Sequence, residues 1–133
     1  MEKIEEISWN GQVLVFLIRA EVNPQKTVFP VPNNLSFQLG FIVYPQGGEV
    51  IRHLHKPIER HIVGTSEVLM VKKGRCEIDV YNRVREKIAT RELRVGDIVL
   101  MIDGGHGFRM LEDTVLVEIK QGPYTGIDEK ERF

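Results

Sequence analysis

Cysteine is nearly absent. Cys76 is the one thiol in 133 residues, so no internal disulfide is available, which agrees with a reducing compartment. It stands in RCEIDVY on the strand face of Ile78 and Val80, where a buried structural thiol is expected rather than a nucleophile. An excess of either charge is also missing. Lys plus Arg number 18 and Asp plus Glu 19, for a formal charge of -1, which argues against a general nucleic-acid backbone binder. No run approaches the ~18 apolar residues that would span a bilayer, and the start, MEKIEEISW, is acidic where a signal peptide would be basic and then apolar. The expected location is the cytosol, with no nucleic acid and no membrane as partner. Helical periodicity, fixed short repeats and low-complexity segments are lacking too.

What is present is alternation punctuated by glycine. The length suits one domain with one hydrophobic core. VLVFLIRA, from Val13, is rich in β-branched residues and reads as a largely buried strand after an Asn10-Gly11 turn. Pro24, Pro30 and Pro32 then disfavour a central strand. Phe37, Leu39, Phe41 and Val43 share one strand face, and Gly47-Gly48 turns the chain into a predicted strand bearing His53 and His55. Further strands are predicted near 67–73 and 75–81, joined at Gly74. An extended segment at 86–94, a strand from Ile98 to Ile102 after the Gly96-Asp97 turn, and a final strand from Thr114 to Lys120 follow. The tail, YTGIDEKERF, has no apolar pattern and reads as loop. Many short strands with glycine turns describe an antiparallel sandwich or barrel.

Chemistry concentrates between Gly47 and Gly74, where three of the four histidines lie. On a strand, His53 and His55 share a face and their imidazoles can converge. Glu67 opens the next strand on the face of Leu69 and Val71, and His106 follows a later glycine turn. Two histidines, a carboxylate and a third histidine form a mixed nitrogen and oxygen set suited to a divalent transition metal: zinc, iron, nickel or manganese. The 56–66 loop is long for a hairpin and is expected to border a pocket, with His61 facing substrate there.

The order Gly47, His53-x-His55, Glu67, Gly74, then Gly96 and His106 resembles the two motifs of the cupin superfamily. The resemblance covers 37–120, the expected core of one cupin domain spanning 1–133. It implies an all-β fold, a double-stranded β-helix or jelly-roll barrel, with metal bound by His53, His55, Glu67 and His106. The pattern departs from the family in the eleven residues between His55 and Glu67, in Ile102 where proline is usual, and in a shorter second motif. Glu59 has the shorter spacing from His55, but Glu67 opens a strand and has glycine at the expected interval.

Glu59-Arg60, TSEV at 65–68 and EIKQGPYTG further resemble small cupins of surface-polysaccharide and nucleotide-sugar metabolism. This implies a small polar or sugar-derived substrate and a homodimer. The apolar stretch Val13 to Ile18 would offer the dimer surface or else complete the chain's own core. For a metal enzyme, Glu49 or Tyr44 would handle a proton, Arg60 would pair with an anionic group, and His61, Phe108 and Tyr124 would line the substrate. The alternatives are a metal-free nucleotide-sugar epimerase or ketoisomerase, with His53 or His106 as base and Tyr44 or Tyr124 as acid, and a noncatalytic ligand-binding cupin.

Overall fold

The computed structural model describes residues 4–126 and 129–133. The chain divides into two compact units, one formed by Met1–Val22 with Thr65–Phe133 and the other by Asn23–Gly64.

Among the described residues, the first unit carries eight strands: β1 (Ile4–Trp9), β2 (Gln12–Ile18), β3 (Glu67–Lys73), β4 (Arg75–Tyr81), β5 (Lys87–Arg94), β6 (Ile98–Met101), β7 (Gly105–Met110) and β8 (Val115–Lys120). They form two antiparallel sheets ordered β1-β2-β6-β3-β8 and β5-β4-β7, consistent with a β-sandwich. The predicted strands after residue 66 fall where the alternation and the glycines put them. β1 is an addition, because IEEISW alternates too weakly to announce a strand on its own and is held by its hairpin with β2. Asn10 and Gly11 close that hairpin with φ of 50° and 76°, the left-handed pair a two-residue turn needs if it is to match strand twist.

The core lies between the sheets. Ile7, Leu14, Val15, Leu17, Leu69, Val71, Val99 and Met101 from the larger sheet meet Cys76, Ile78, Val80 and Leu93 from the smaller one. Leu14 and Val15 both reach it because the β1–β2 register slips between Ile7 and Ser8; a bulge there breaks the strict alternation of faces. Residues Leu14 to Ile18 are all buried, and β2 lies inside the sheet between β1 and β6. This stretch therefore completes the chain's own core. Cys76 is fully buried, and desolvation, followed by the charge of Asp97, pushes its thiol upward, which suits an inert packing residue.

After β3 the chain crosses between the sheets four times, and three of the connecting turns are held by specific groups. Gly74 has φ of 87° and lies against the Asp113 carbonyl and Thr114, so that a Cβ has no room. At the Gly96-Asp97 turn the Asp97 carboxylate is buried and accepts the N–H groups of Ala20 and Arg94, each at 2.8 Å, and the Arg19 guanidinium at 3.0 Å. Gly104, φ 76°, abuts the Tyr81 carbonyl. Within the smaller sheet, Asn82 Oδ1 closes the β4–β5 turn by accepting the N–H groups of Val84 and Glu86.

The outward face of the smaller sheet is charged. Arg109 bonds Asp79 and Glu77, while Thr90 donates to Asp79 at 2.6 Å. Arg109 is thus committed to its own sheet and is not free to receive a substrate anion.

The Asn23–Gly64 unit corrects two expectations. The predicted strand at 37–43 reduces to one bridge between Val28 and Phe41, supplemented by Thr27 and Val43, whose N–H donates to Thr27 Oγ1 at 2.9 Å. The predicted histidine strand is not a strand: residues 49–63 carry no ladder, and Ile51 and Leu54 are 82% and 94% exposed. Alternation states which way side chains would point if a strand formed, but a strand also needs a partner for its backbone groups. Between Pro45 and Pro57, with Gly47 turning at φ 84°, no such partner is supplied.

Candidate functional site

The polar groups that break the core pattern lie along the β3, β7 and β8 side of the sandwich. Glu67 begins β3 with the parity of Leu69 and Val71, both buried, so its side chain is directed between the sheets. In the β3–β8 register Glu67 faces Lys120 and Leu69 faces Glu118. Glu118 is consequently a diagonal neighbour of Glu67 on the inward face. On the smaller sheet His106 pairs with Val80 and Phe108 with Ile78, and both partners are buried, which turns His106 and Phe108 inward as well. Since β7 and β8 are each an edge strand, these side chains stand where the sandwich opens rather than in its sealed middle.

Two sheets meet through polar atoms there. His106 Nε2 lies 3.9 Å from Glu67 Oε1, with the Glu67 side chain only 13% exposed. The ring of Phe108 sits edge-on to His106, centroids 5.8 Å apart. Burial, then the hydrogen bond and negative charge of Glu118, push the Glu67 carboxyl up to about 7. The Glu118 carboxyl is held below its ordinary value, first by the hydrogen bond from Glu67. These opposite directions describe one proton held by two carboxyls, with Glu67 the donor and Glu118 the ionised acceptor. Desolvation lowers the His106 pKa, which favours the neutral imidazole. An acid and a base thus stand side by side, set apart by their surroundings.

Just before β3, Ser66 N–H donates to Gln121 Oε1 at 2.9 Å. The Gln121 Nε2 is buried with no hydrogen-bond partner among the described residues.

Of the residues singled out from sequence, the sandwich unit brings together Glu67, His106 and Phe108. Tyr124, also on this unit, is 77% exposed. In the Asn23–Gly64 unit, the His53 and His55 rings approach edge-to-face with centroids 5.2 Å apart, and His53 Nδ1 is 2.7 Å from the Ile51 carbonyl oxygen. Tyr44, Glu49, Arg60 and His61 are exposed there. Within neither unit do three His, Cys, Asp or Glu side chains, among the described residues, form a metal-holding group. Sequence reasoning passed over Glu118 and Lys120, although TVLVEIK carried the signal: both have the parity of Leu116, a core-facing position.

Comparison with known proteins finds no matching family model, no matching curated protein and no matching solved structure. No helix among the described residues is long and apolar enough to cross a membrane.

Proposed function

We propose that this chain is a small-molecule enzyme of the cupin type, a jelly-roll sandwich whose open β7/β8 side holds a proton-transfer site made by Glu67, Glu118 and His106. The single observation that carries the reading is the 3.9 Å approach of a carboxyl from one sheet and an imidazole from the other, at inward positions where packing alone would select apolar side chains. The strand path, which crosses between the sheets at β3–β4, β5–β6, β6–β7 and β7–β8, supports the jelly-roll assignment.

The chemistry is proton abstraction beside a carbonyl on a small polar, sugar-derived compound. Neutral His106 takes the proton from carbon while Glu67 donates its proton to the carbonyl oxygen, giving an enediol. Protonated His106 then gives its proton to the neighbouring carbon while ionised Glu67 takes one from the second enediol hydroxyl, yielding the isomer; a proton delivered to the other face of the same carbon, with Glu67 regaining its own from the oxygen it protonated, yields the epimer. Glu118 keeps the proton on Glu67 between turnovers.

Incubating the protein in deuterated water with a panel of aldoses, ketoses and keto-sugar nucleotides tests the reading. Deuterium should appear by NMR at the carbon next to the carbonyl of at least one compound, and Glu67→Gln and His106→Ala should each abolish it. Absence of exchange across the panel, or exchange that survives both substitutions, overturns the proposal.

A second reading keeps a divalent transition metal, zinc, iron, nickel or manganese, on His53, His55, Glu67 and His106. Its support is pairwise, from the 5.2 Å ring approach in one unit and the 3.9 Å contact in the other. Elemental analysis of untagged protein decides: stoichiometric metal that is lost in both His53→Ala and His106→Ala establishes the metal centre, and its absence leaves the acid–base pair. The assembly proposed with either reading is a homodimer, and light scattering at micromolar concentration that reports only a 15.3 kDa particle rejects it.

A further inference from the structure

The smaller sheet stops short of the larger one at the mouth. His106 on β7 meets Glu67 on β3, and β4 lies toward β2, so the open side of β7 is directed over β8. No strand stands there among the described residues. Two inward side chains record the gap. Met110 pairs with the fully buried Cys76 and therefore has inward parity, yet it is 52% exposed. Glu118, on the inward face of β8, is exposed as well.

That open edge lacks the devices that keep strand edges unpaired. β1, β5 and β8 each pair with a neighbour through a register shift, and each carries at least two charged side chains. β7 pairs with β4 without a shift, and its arginine, Arg109, is held by Asp79 and Glu77. Leu111 N–H donates to the Arg75 carbonyl at 2.9 Å. By antiparallel alternation β4 then takes the backbone groups of Arg109, Gly107 and Gly105, and those of His106, Phe108 and Met110 face the open side.

The same chain carries a segment with the opposite deficiency. Residues 49–64 make no backbone–backbone hydrogen bond among the described residues, and Ile51, Leu54, Ile58 and Val63 are exposed. As a strand, the segment would set Ile51, His53 and His55 on one face, running from apolar to imidazole, while the inward face of β7 runs from His106 through Phe108 to Met110. An antiparallel approach therefore sets Ile51 toward Met110 and the imidazoles toward His106, Glu67 and Glu118. Apolar side chains then meet apolar ones, and imidazole nitrogens meet carboxyl groups.

We propose that residues 50–56 of a second copy of this chain add to β7 as a fourth strand of the smaller sheet, so that two copies exchange these segments and each mouth receives the partner's His53 and His55. The occupant is a second copy because edge and segment complement each other within one sequence, while in the single chain the segment has no ladder. Exchange by strand addition pairs both at once, and does so twice in a two-fold dimer. The inference rests on the reading of this mouth as the reaction site only for what the two imidazoles do there; the strand addition stands on the edge itself.

The test attaches a nitroxide to Leu54→Cys, an exposed position, while the fully buried Cys76 stays unmodified. Full-length chain labelled with nitrogen-15 and free of nitroxide is mixed in urea with an excess of unlabelled, nitroxide-bearing chain and refolded. The amides of β7 should broaden most in the NMR spectrum, since paired strands lie ~4.8 Å apart, and those of β5, at the far edge of the sheet, least. With isotope and nitroxide on one chain in an excess of unmodified chain, the β7 amides should broaden less. Ile51→Pro/Leu54→Pro removes donors of both strand parities from a segment that uses neither within the chain. It should raise the dimer dissociation constant by about tenfold or more, the scale of one or two lost ladder bonds, while circular dichroism keeps its strand signal. A 15.3 kDa particle alone in light scattering, β7 broadened chiefly by its own chain's nitroxide, or a dimer indifferent to the prolines overturns the exchange. Deuterium incorporation into substrate separates the two ideas: incorporation without broadening between chains sinks the strand exchange alone, and broadening without incorporation sinks the acid–base reading alone.

Discussion

Replacing Glu67 by glutamine should stabilise the protein, and only above a definite pH. The Glu67 carboxyl is raised from 4.5 to about 7, so the folded chain holds a proton there that the unfolded chain has released across that interval. Stability attached to this proton is fully present below 4.5 and is lost as pH rises through about 7. A displacement of that size corresponds to about 3 kcal/mol against the ionised form, taking ~1.36 kcal/mol per pH unit. The pair opens on solvent and Glu118 moves in the opposite direction, so screening and coupling reduce the net effect to about 1–2 kcal/mol. Glutamine is neutral at every pH, and its amide can still donate to Glu118. The variant should match the native protein near pH 4 and exceed it by about 1–2 kcal/mol at pH 8.

Urea denaturation followed by circular dichroism from pH 4 to pH 8, in the presence of a chelator, measures the difference. A variant less stable than the native chain at pH 8, or a difference that does not change with pH, refutes the shared-proton account. Without chelator the same substitution distinguishes the metal reading. A resident ion would lose a ligand, and Glu67→Gln would then destabilise.

Three other substitutions follow from the frame that holds the site. Asp97→Ala should cost about 2–3 kcal/mol in urea denaturation, because it removes the buried carboxylate that accepts the part-buried N–H groups of Ala20 and Arg94 and the Arg19 guanidinium; an effect below about 1 kcal/mol would show that water takes over those bonds. Gly74→Ala forces a left-handed alanine into the Asp113 carbonyl and should lower stability by about 2 kcal/mol or more, read as a fall in the thermal midpoint. Arg109→Ala should shift the urea midpoint downward at pH 7, with the difference shrinking as pH falls below 3.8. Asp79 is held below its ordinary 3.8 chiefly by the Arg109 hydrogen bond, and that stabilisation is lost as pH falls through the folded value. A pH-independent difference would place the effect of Arg109 in packing rather than in the ion pair.

The sandwich was legible because its strands are locally self-sufficient signals. Leu69, Val71, Ile78, Val80 and Val99 alternate along runs closed by Gly74, Gly96 and Gly104, and each of those glycines has a positive φ that the turn requires. β1 was hidden because its Glu5 and Glu6 dilute the alternation; what fixes it is nonlocal, including the bidentate bond from Arg91 on β5 to Glu5, Nε to Oε1 and Nη2 to Oε2. The histidine segment failed in the opposite way. His53 and His55 do approach one another, but by an edge-to-face contact outside any ladder.

Glu67 and His106 stand at positions that spacing singles out, and both point between the sheets. Glu118 was missed for a reason that bears on the whole site. Read alone, a glutamate in an edge strand such as VLVEIK is a solvated charge. Its position matters only once the register sets it diagonal to Glu67, because a second carboxyl there is what turns the first into an acid near neutral pH. The tail was opaque for the same reason: DEKERF has no periodicity, and its contacts among the described residues, Glu129 with Thr65 and Glu131 with Arg85, are with partners distant in sequence. The strands could be read one at a time from their own residues. The site could not, since each of its groups takes its chemical state from neighbours on other strands, and a proton on Glu67 is a property of the Glu67–Glu118 pair rather than of either residue.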